Sequence, residues 1–538
     1  MISDALRTEV LEWIANDPDP ESVATLRKWL ADSNEVELLK SFSGFLEFGT
    51  AGLRGPVRPG PSGMNRAVVS RTAAGIAAFM KSHGLNKIVI GRDARHGSAE
   101  FMQESAEVLA GFGLDVYLLP RQLPTPLLAF AVNELAMDCG VMITASHNPA
   151  IDNGYKVYLG GSVAGINYNG SQIISPTDTQ ISEEIARVQM PIPRGSKWKF
   201  VDETLIDKYL QVTSQGMIQK ASQKIVYTAM HGVGTETLLS LFKSAGFDKP
   251  ILVAEQAEPD PNFPTVAFPN PEESGAMDLA IALAKAQNAD LVIANDPDAD
   301  RCAVAVKDSA GNWRTLRGDE LGVILGDAVA KKISTTNVSF ATTIVSSSAL
   351  SKIAANAGAK YTETLTGFKW ISKVADLAYG YEEAIGYCIN PRAVNDKDGI
   401  SAALFIAELN SDLISKGSSL IEYLEKIWSE IGYHHTEQLS IRVTDLKIIG
   451  KILRDLAAKP LQTIAGQVVT SFENLSDADI PTPGFRIRCG VNLRVIIRPS
   501  GTEPKLKAYF EAIDEQAAAI NLIREAKSQL SQLFASYS

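Results

Sequence analysis

The sequence predicts an α/β protein of several domains, with a smaller α+β domain at its C-terminal end. Its 538 residues exceed what one hydrophobic core normally supports, so roughly three or four domains are expected. Short apolar strand patterns alternate with helical patterns in three successive blocks, as in helix-covered, mainly parallel sheets. Beyond about residue 436, strand-like runs are instead grouped with flanking helices. We therefore expect three α/β domains of similar topology followed by an α+β domain.

The individual elements follow from the spacing of apolar residues. The predicted strands lie at 87–91, 115–119, 139–143, 155–158, 224–228, 251–254, 290–294, 302–306, 339–343, 438–443 and 491–497. The predicted helices between them lie at 72–80, 99–111, 278–286, 320–332, 350–357, 445–458 and 515–534, with others beginning near 126 and ending near 245. Before residue 40 apolar residues recur at helical spacing around a Pro-rich break.

These patterns give the expected domain limits. The first segment is a helical extension in which we expect no functional residues. The helical extension is predicted at 1–40, the three α/β domains at 41–210, 211–316 and 317–435, and the α+β domain at 436–538.

Composition indicates an ordinary globular protein and narrows its partners. Hydrophobic residues make up 45% and charged residues 21% of the chain, and the net charge of −11 argues against nucleic-acid binding. No apolar run approaches the ~18 residues of a membrane span, and the N-terminus lacks a signal pattern. The four cysteines form no CxxC pair, so buried free thiols are expected. We expect a cytoplasmic protein with no membrane partner, as a monomer or small homo-oligomer.

A serine and a histidine follow the predicted strand Cys139–Ile143. Ser146 and His147 come just after it, and Pro149 prevents an immediate helix. We interpret residues 152–154 as a turn, after which a returning strand brings Lys156 beside the serine. This would be a nucleophile with proton-transfer partners on a rigid hairpin. The alternative is a polar turn between two core strands.

Three aspartates, Asp296, Asp298 and Asp300, lie between two apolar runs. Alternate residues of an extended segment point the same way, so we expect their carboxylates to converge and to need a cation between them. Hard oxygen ligands favour Mg²⁺ or Ca²⁺, and three protein ligands leave coordination positions open. An EF-hand is excluded, because its sixth position would be Arg301 and its twelfth Lys307. A solvated turn is the alternative.

Further loops have compositions suited to phosphate or sugar. Residues 48–55 are glycine-rich and contain Arg54, whose guanidinium group suits phosphate. Residues 380–386 carry paired glutamates between glycines, and Lys397 precedes a helix. Residues 498–504 combine an arginine, two hydroxyls and a glycine in an anion cradle, for which a hairpin turn is the alternative. We interpret the His434–His435 pair as an exposed polar linker.

The order of these loops resembles the phosphoglucomutase/phosphomannomutase family, the α-D-phosphohexomutases. FGTAGLRG, TASHNP, DPDADR, GYEEAIG and RPSGTEP follow one another as in that family, and the resemblance extends from about Phe42 to about Glu511. It implies four domains around a central cleft, the first three sharing a topology. It also implies a mutase that moves a phosphoryl group between the 1- and 6-positions of glucose or mannose phosphate. The reaction would use a phosphoserine, Mg²⁺ and a sugar bisphosphate as intermediate and activator.

The resemblance also implies a role for each motif residue. Ser146 would be the phosphorylated serine. The implied catalytic residues are Ser146, His147, Lys156, Arg54 and Arg301; the Mg²⁺ ligands are Ser146, Asp296, Asp298 and Asp300. The implied substrate-binding residues are Thr50, Arg54, Thr366, Gly367, Glu382, Ala384 and Lys397; those for the distal phosphate are Arg498, Ser500, Gly501, Thr502 and Lys507.

The chain departs from the common family pattern at a few positions. Ala384 stands where many members have serine, which removes one sugar hydrogen bond, and Pro297 and Ala299 stand where glycines are frequent. The EEAIG motif and the helical extension resemble the phosphopentomutase-like branch of the family more closely than the other branches, so ribose or deoxyribose phosphate is an alternative substrate. A phosphoserine-dependent sugar phosphatase and a sugar-phosphate-binding regulator without catalysis are further alternatives.

Overall fold

The computed structural model describes residues 2–49, 52–335, 337–443, 445–478, 481–500 and 505–537. The chain begins with three helices, as predicted. They are α1 (Asp4–Asn16), α2 (Pro20–Ala31) and α3 (Glu35–Ser41). Val10, Leu26 and Leu38 form their small core, and the Trp13 ring meets Phe42 edge-on at 6.2 Å.

The first α/β unit follows these helices. Its elements are β1 (Leu53–Pro56), α4 (Arg66–Ser82), β2 (Lys87–Arg92), α5 (Ser98–Gly111), β3 (Asp115–Leu118), α6 (Thr125–Glu134), β4 (Cys139–Ile143), β5 (Asp152–Leu159), β6 (Ser162–Val163), β7 (Ile166–Asn167), β8 (Ser171–Gln172), α7 (Thr177–Arg187), β9 (Lys199–Phe200) and α8 (Thr204–Ser214).

Two further α/β units come next. The second contains β10 (Ile225–Thr228), α9 (Gly234–Ser244), β11 (Ile251–Leu252), α10 (Asp278–Gln287), β12 (Leu291–Ala294), β13 (Ala303–Lys307) and β14 (Trp313–Thr315). The third contains α11 (Gly318–Lys332), β15 (Ser339–Thr343), α12 (Ala349–Asn356), β16 (Lys360–Thr364), α13 (Phe368–Ile371), β17 (Leu377–Glu382), β18 (Gly386–Cys388), α14 (Gly399–Ser415) and α15 (Leu420–Ile431).

The three α/β sheets share one strand order, which confirms the predicted repetition. The common orders are β3-β2-β4-β5, β11-β10-β12-β13 and β16-β15-β17-β18. In each, the first three strands pair in parallel and the last is antiparallel. The loop between the last two strands therefore occupies the same place in every unit. These equivalent loops carry Ser146, the three aspartates and the Glu382–Ala384 region respectively.

The C-terminal unit is an α+β domain, also as predicted. It consists of β19 (His434–Arg442), α16 (Leu446–Ala458), β20 (Thr463–Ile464), β21 (Gln467–Asn474), β22 (Phe485–Cys489), β23 (Leu493–Pro499), β24 (Lys505–Ile513) and α17 (Gln516–Ala535). Its antiparallel sheet runs β19-β24-β23-β22-β21-β20 and has its own core, with Val495, Phe510 and Ile523. Ile496 and Tyr509 on the other face pack against Ile344 and Val345 of the third unit.

The structure corrects two local predictions. Residues 152–154 are not a turn but the start of β5, because the chain already turns earlier, where the Asp152 N–H donates to the Pro149 carbonyl (3.0 Å). Gly154 is needed for close packing instead, since an added Cβ would lie 2.6 Å from the Thr144 carbonyl oxygen.

The second correction concerns the histidine pair, which is not an exposed linker. His434 and His435 begin β19 and are buried. His434 Nδ1 lies 2.9 Å from Glu511, and its ring stacks on Trp428 at 5.9 Å. Another prediction is confirmed, because the four cysteines are buried and free. Among the described helices, none is both long and apolar enough to span a bilayer.

Candidate active site

Ser146 lies at the tip of the loop between β4 and β5. Its φ of 51° places it in the left-handed region, and its N–H donates to Thr144 Oγ1 (2.9 Å). The side chain is buried, and its hydroxyl donates to Asp296 Oδ2 at 2.8 Å. His147 Nδ1 is 3.3 Å from the same hydroxyl. The serine of the first unit and the aspartate loop of the second are therefore in direct contact.

Arg95 holds the serine loop in shape, a role that we did not predict. Its guanidinium group donates to the carbonyls of Ser146 (2.6 Å), Asn148 (2.6 Å), Pro149 (2.8 Å) and Asp152 (3.1 Å). These bonds satisfy carbonyl groups that a tight buried loop cannot pair within itself. Arg95 lies 51 residues before Ser146, so the motif around the serine gives no indication of this contact.

The three aspartates converge, but not by extended alternation. The loop after β12 is a turn in which the Ala299 N–H donates to the Asp296 carbonyl (2.8 Å) and Ala299 takes a φ of 54°. One carboxylate oxygen from each aspartate lies within 4.8 Å of the others, and all three side chains are buried. Within the described residues this is the one group of three or more acidic, histidine or cysteine side chains so arranged.

The oxygens of these aspartates divide into two sets. Asp298 Oδ2 accepts from Lys156 (2.7 Å) and Thr125 (2.6 Å), and Asp300 Oδ2 accepts from Lys156 (2.9 Å). The Oδ1 atoms of Asp298 and Asp300 are buried and have no hydrogen-bond partner among the described residues. Unpaired buried carboxylate oxygens are costly, so a hard divalent cation fits this site.

The electrostatics of the cluster agree with that fit. Burial and the charges of the other two aspartates raise the pKa of Asp296 well above its ordinary value. Burial opposes the charge on Lys156, but Asp298 and Asp300 outweigh it and raise the pKa of the lysine. Burial and the neighbouring Arg301 and Arg54 hold the pKa of His147 well below its ordinary value. Asp296 is therefore the aspartate whose negative charge is least favourable, since nearby cations hold the pKa values of Asp298 and Asp300 below their ordinary value despite burial.

Arginine and lysine side chains border this cluster. Arg54 Nη1 donates to Asn148 Oδ1 (3.2 Å), and Arg301 Nη1 donates to the Ala384 carbonyl (3.2 Å). Lys397 lies 3.5 Å from Asp300 and 3.9 Å from Glu382. Arg301 and Lys397 therefore join the aspartate loop of the second unit to the Glu382–Ala384 loop of the third.

The remaining predicted residues lie on loops of the third and C-terminal units. Thr366 and Gly367 connect β16 to α13, and Gly367 has a φ of 110°. Arg498 and Lys507 face each other across β23 and β24, and Ser500 follows β23. Burial lowers the pKa of Lys369 to about 8, and the nearby charge of Arg498 acts in the same direction. The predicted residues Thr50, Gly501 and Thr502 lie outside the described residues.

Two more residues that contact the site could not be predicted from the sequence. Thr125 begins α6 and bonds to Asp298, and the carboxylate of Glu272 lies 3.7 Å from Arg301. Neither residue belongs to a recognisable motif. Thr125 lies in a Leu-Pro-Thr-Pro run at the start of α6, and this pattern indicates only the beginning of a helix.

Fold and site together define a four-domain α/β enzyme in which a buried serine meets a carboxylate cluster. Models described as phosphoglucomutase/phosphomannomutase alpha/beta/alpha domains I, II and III and C-terminal domain match residues 46–191, 203–311, 317–431 and 441–525. The chain belongs to the phosphoglucomutase/phosphomannomutase family, whose members are sugar-phosphate mutases.

Relatives over nearly the full length carry different substrate names. A Haemophilus influenzae protein named "Probable phosphomannomutase" is 45% identical over 84% of this chain and 93% of its own length. Human phosphopentomutase is 35% identical (94% and 91%), and Staphylococcus aureus phosphoglucomutase is 31% identical (95% and 97%). The relatives therefore agree on the family, while their names refer to different substrates: mannose, a pentose and glucose.

Solved structures share the fold. A phosphoglucomutase/phosphomannomutase family protein of Burkholderia thailandensis superposes with a TM-score of 0.71 at 20% identity, covering 90% of this chain and 97% of its own. The open form of parafusin, a phosphoglucomutase of Paramecium, gives a TM-score of 0.70 at 20% identity, covering 93% and 96%.

Proposed function

We propose that the chain interconverts the 1-phosphate and 6-phosphate of a hexose, glucose or mannose, through phospho-Ser146 and a sugar bisphosphate. The observation that carries this proposal is the 2.8 Å contact between Ser146 Oγ and Asp296 Oδ2 inside a buried carboxylate cluster. A serine hydroxyl beside hard oxygen ligands suits an enzyme that keeps a phosphoryl group next to a divalent cation.

Mg²⁺ is the cation that we assign to this cluster. Asp296, Asp298 and Asp300 would hold it, together with the phosphate on Ser146. When bound, Mg²⁺ would offset negative charge on the transferring phosphoryl group.

The residues around Ser146 would support phosphoryl transfer. A sugar hydroxyl oxygen would form a bond to phosphorus and lose its proton, while the bond from phosphorus to Ser146 Oγ breaks and that serine oxygen takes up a proton. His147 Nδ1, 3.3 Å from Ser146 Oγ, would relay this proton from the sugar to the serine. Lys156, Arg54 and Arg301 supply fixed positive charge beside the serine loop.

The loops of the third and C-terminal units would hold the sugar and its other phosphate. Glu382 and Lys397, which are 3.9 Å apart, would bind sugar hydroxyl groups, with Thr50, Thr366, Gly367 and Ala384 completing the proposed sugar site. Arg498, Ser500 and Lys507 would bind the non-reacting phosphate, together with Gly501 and Thr502. The bisphosphate then turns over and returns its other phosphoryl group to Ser146. Added sugar bisphosphate would act as an activator by phosphorylating the serine.

A pentose phosphate is the second candidate substrate. Human phosphopentomutase aligns with 94% of this chain, and Ala384 offers no side-chain hydroxyl to a hexose. The chemistry at Ser146 would be the same, with transfer between the 1- and 5-positions of ribose or deoxyribose.

The test is turnover of glucose, mannose and ribose phosphates by the parent enzyme and by Ser146→Ala. We expect the substitution to lower mutase turnover by about 10⁴-fold or more, because no phosphoryl carrier remains. Ser105→Ala, which removes a buried hydroxyl elsewhere in the first unit, should stay active. Near-parental turnover by Ser146→Ala would contradict the proposal. Phosphate released in excess of isomerised sugar would instead identify a phosphatase.

A further inference from the structure

Thr125 donates two hydrogen bonds to the aspartate loop. It is the first residue of α6, and its backbone N–H donates to the Asp298 carbonyl at 2.9 Å. Its hydroxyl donates to Asp298 Oδ2 at 2.6 Å. Both partners are fully buried, and 173 residues of chain separate them. The contact therefore joins a helix of the first unit to the carboxylate cluster of the second.

The local sequence fixes this threonine in place. The N–H groups of the first turn of a helix have no partner within the helix, so the Thr125 N–H is available for Asp298. Pro124 and Pro126 flank it, and their rings restrict the backbone on either side. Leu123, two residues before Thr125, is anchored as well, because its N–H donates to the Arg92 carbonyl at the end of β2 (3.0 Å).

The hydroxyl bond determines which oxygen of Asp298 remains available. Oδ2 is occupied by Thr125 and by Lys156 at 2.7 Å, whereas Oδ1 is buried without a hydrogen-bond partner among the described residues. A carboxylate can rotate about its terminal bond, and two donors on one oxygen oppose that rotation. Lys156 alone is a weaker constraint, because its ammonium group also bonds to Asp300.

We propose that Thr125 is a positioning residue that orients Asp298 so that Oδ1 faces the divalent cation. This inference rests on the proposed metal-dependent function. Thr125 itself contacts neither the cation nor the sugar in this account. Partners that orient a metal ligand in this way usually contribute 10–100-fold to metal affinity, so a loss of roughly tenfold is expected when the hydroxyl is removed.

The experiment measures Mn²⁺ binding to the unphosphorylated full-length enzyme by electron paramagnetic resonance. Thr125→Val keeps the shape of the side chain and removes the hydroxyl, and Thr125→Ser keeps the hydroxyl. We expect the dissociation constant to rise by roughly tenfold in the valine variant and to stay within about twofold of the parent in the serine variant. The Mg²⁺ concentration for half-maximal turnover should rise in parallel, with kcat recovering at saturating Mg²⁺.

Thr72→Val is the matched control. Thr72 is equally buried, and its hydroxyl donates to the Val68 carbonyl within α4, away from the aspartates. This variant should bind Mn²⁺ as the parent does. Parental affinity in Thr125→Val would overturn the inference, as would equal weakening in Thr125→Ser or Thr72→Val. If Thr125→Val does not fold, Thr125→Ala takes its place under the same criteria.

Failure of the proposed function would look different. A parent enzyme that does not bind Mn²⁺, or whose Mn²⁺ binding survives replacement of all three aspartates, would remove the metal site itself. A parent that binds Mn²⁺ through the aspartates, with no effect of the threonine hydroxyl, would overturn only the role of Thr125.

Discussion

At the scale of single residues, two buried side chains hold the loops of the site in shape. Arg95 donates to four carbonyls of the serine loop, and the Thr125 hydroxyl donates to Asp298 Oδ2. Each side chain acts on a loop that is distant in sequence, so the geometry at Ser146 and Asp298 depends on how distant segments pack.

Arg95→Lys should impair turnover while the fold persists. Lysine keeps the positive charge but cannot direct several donors at the four loop carbonyls that Arg95 now bonds. A misplaced Ser146 should lower kcat by about 10²-fold, measured in a coupled mutase assay. The matched control is Arg71→Lys, whose arginine donates to two carbonyls of α7, those of Ile185 and Ala186. Equal kcat values for Arg95→Lys and the parent would contradict this role.

Only part of the site could be predicted from the sequence. Ser146 and the aspartates could be predicted because each stands in a distinctive local run. Arg95 and Thr125 could not, because a local pattern does not specify how distant segments pack.

Glu383 should make stability depend on pH. Burial, reinforced by the charge of Glu382, raises the pKa of Glu383 from 4.5 to about 7. Between these values the folded protein holds a proton that the unfolded chain releases, so the free energy of unfolding falls as pH rises through this window. Glu383→Gln cannot titrate and retains an acceptor for Ser346 and Thr343.

The variant should therefore gain stability relative to the parent, by about 2–3 kcal/mol, between about pH 5 and about pH 8. Urea unfolding at both pH values measures this difference. Identical pH dependence of parent and variant would show that Glu383 is charged in the folded protein.

At the scale of elements, one hairpin position is used three times. The loops after β4, β12 and β17 lie at equivalent places, and Ser146, Ala299 and Ile385 in them have φ values of 51°, 54° and 53°. Strands and helices could be predicted because apolar spacing reports burial along one element. The loop conformations could not: residues 152–154 look like a turn in sequence, yet pairing with β4 extends them.

Gly232→Ala should disturb the aspartate loop from outside. An added Cβ would lie 2.2 Å from Pro297 Cα and 2.4 Å from its carbonyl oxygen, and both are backbone atoms that can give way only if the loop moves. The bond from the Val233 N–H to that carbonyl (2.9 Å) should also be strained. We expect turnover to fall by about 10²-fold, with weaker Mn²⁺ binding. Gly450→Ala on α16 is the control and should leave turnover and Mn²⁺ binding unchanged. If Gly232→Ala also leaves both unchanged, the close packing of Gly232 against Pro297 is contradicted.

At the scale of the whole molecule, a buried polar network joins the third and C-terminal units. Glu511 of β24 accepts from Ser347 Oγ (2.8 Å) and from the Ser348 N–H (2.7 Å), and Arg494 Nη2 lies 2.8 Å from its other oxygen. Arg494 also donates to the Ser346 carbonyl (2.5 Å). These contacts hold β23 and β24 against the third unit, so the proposed phosphate site, to which Arg498 and Lys507 of these strands would contribute, depends on them.

Ser347→Ala should loosen this junction without unfolding the protein. Losing one hydrogen bond to the buried Glu511 carboxylate should cost about 1–3 kcal/mol, which shifts the C-terminal unit toward undocked conformations. We expect KM for the sugar phosphate to rise several-fold, with faster hydrogen exchange in β24. Ser411→Ala removes a buried hydroxyl that binds the Lys220 N–H, far from this junction, and should leave KM unchanged. An unaltered KM in Ser347→Ala would contradict the role of the junction.

The order of domains could be predicted from the sequence because strand and helix patterns repeat along the chain, but the contacts between domains could not. His434 shows why: in sequence it looks like part of an exposed linker, whereas pairing of β19 with β24 buries it against Glu511. Such contacts arise from surfaces that are each assembled from distant segments.

Transfer of the phosphoryl group to and from Ser146 can be followed on the protein itself. The enzyme is incubated with a hexose bisphosphate and Mg²⁺, digested, and its peptides are mapped by mass spectrometry before and after a chase with the hexose monophosphate. We expect one phosphoryl group, on Ser146, that leaves the protein during the chase as bisphosphate forms in equal amount. A phosphoryl group on another residue, or one on Ser146 that the monophosphate does not remove, would contradict this expectation.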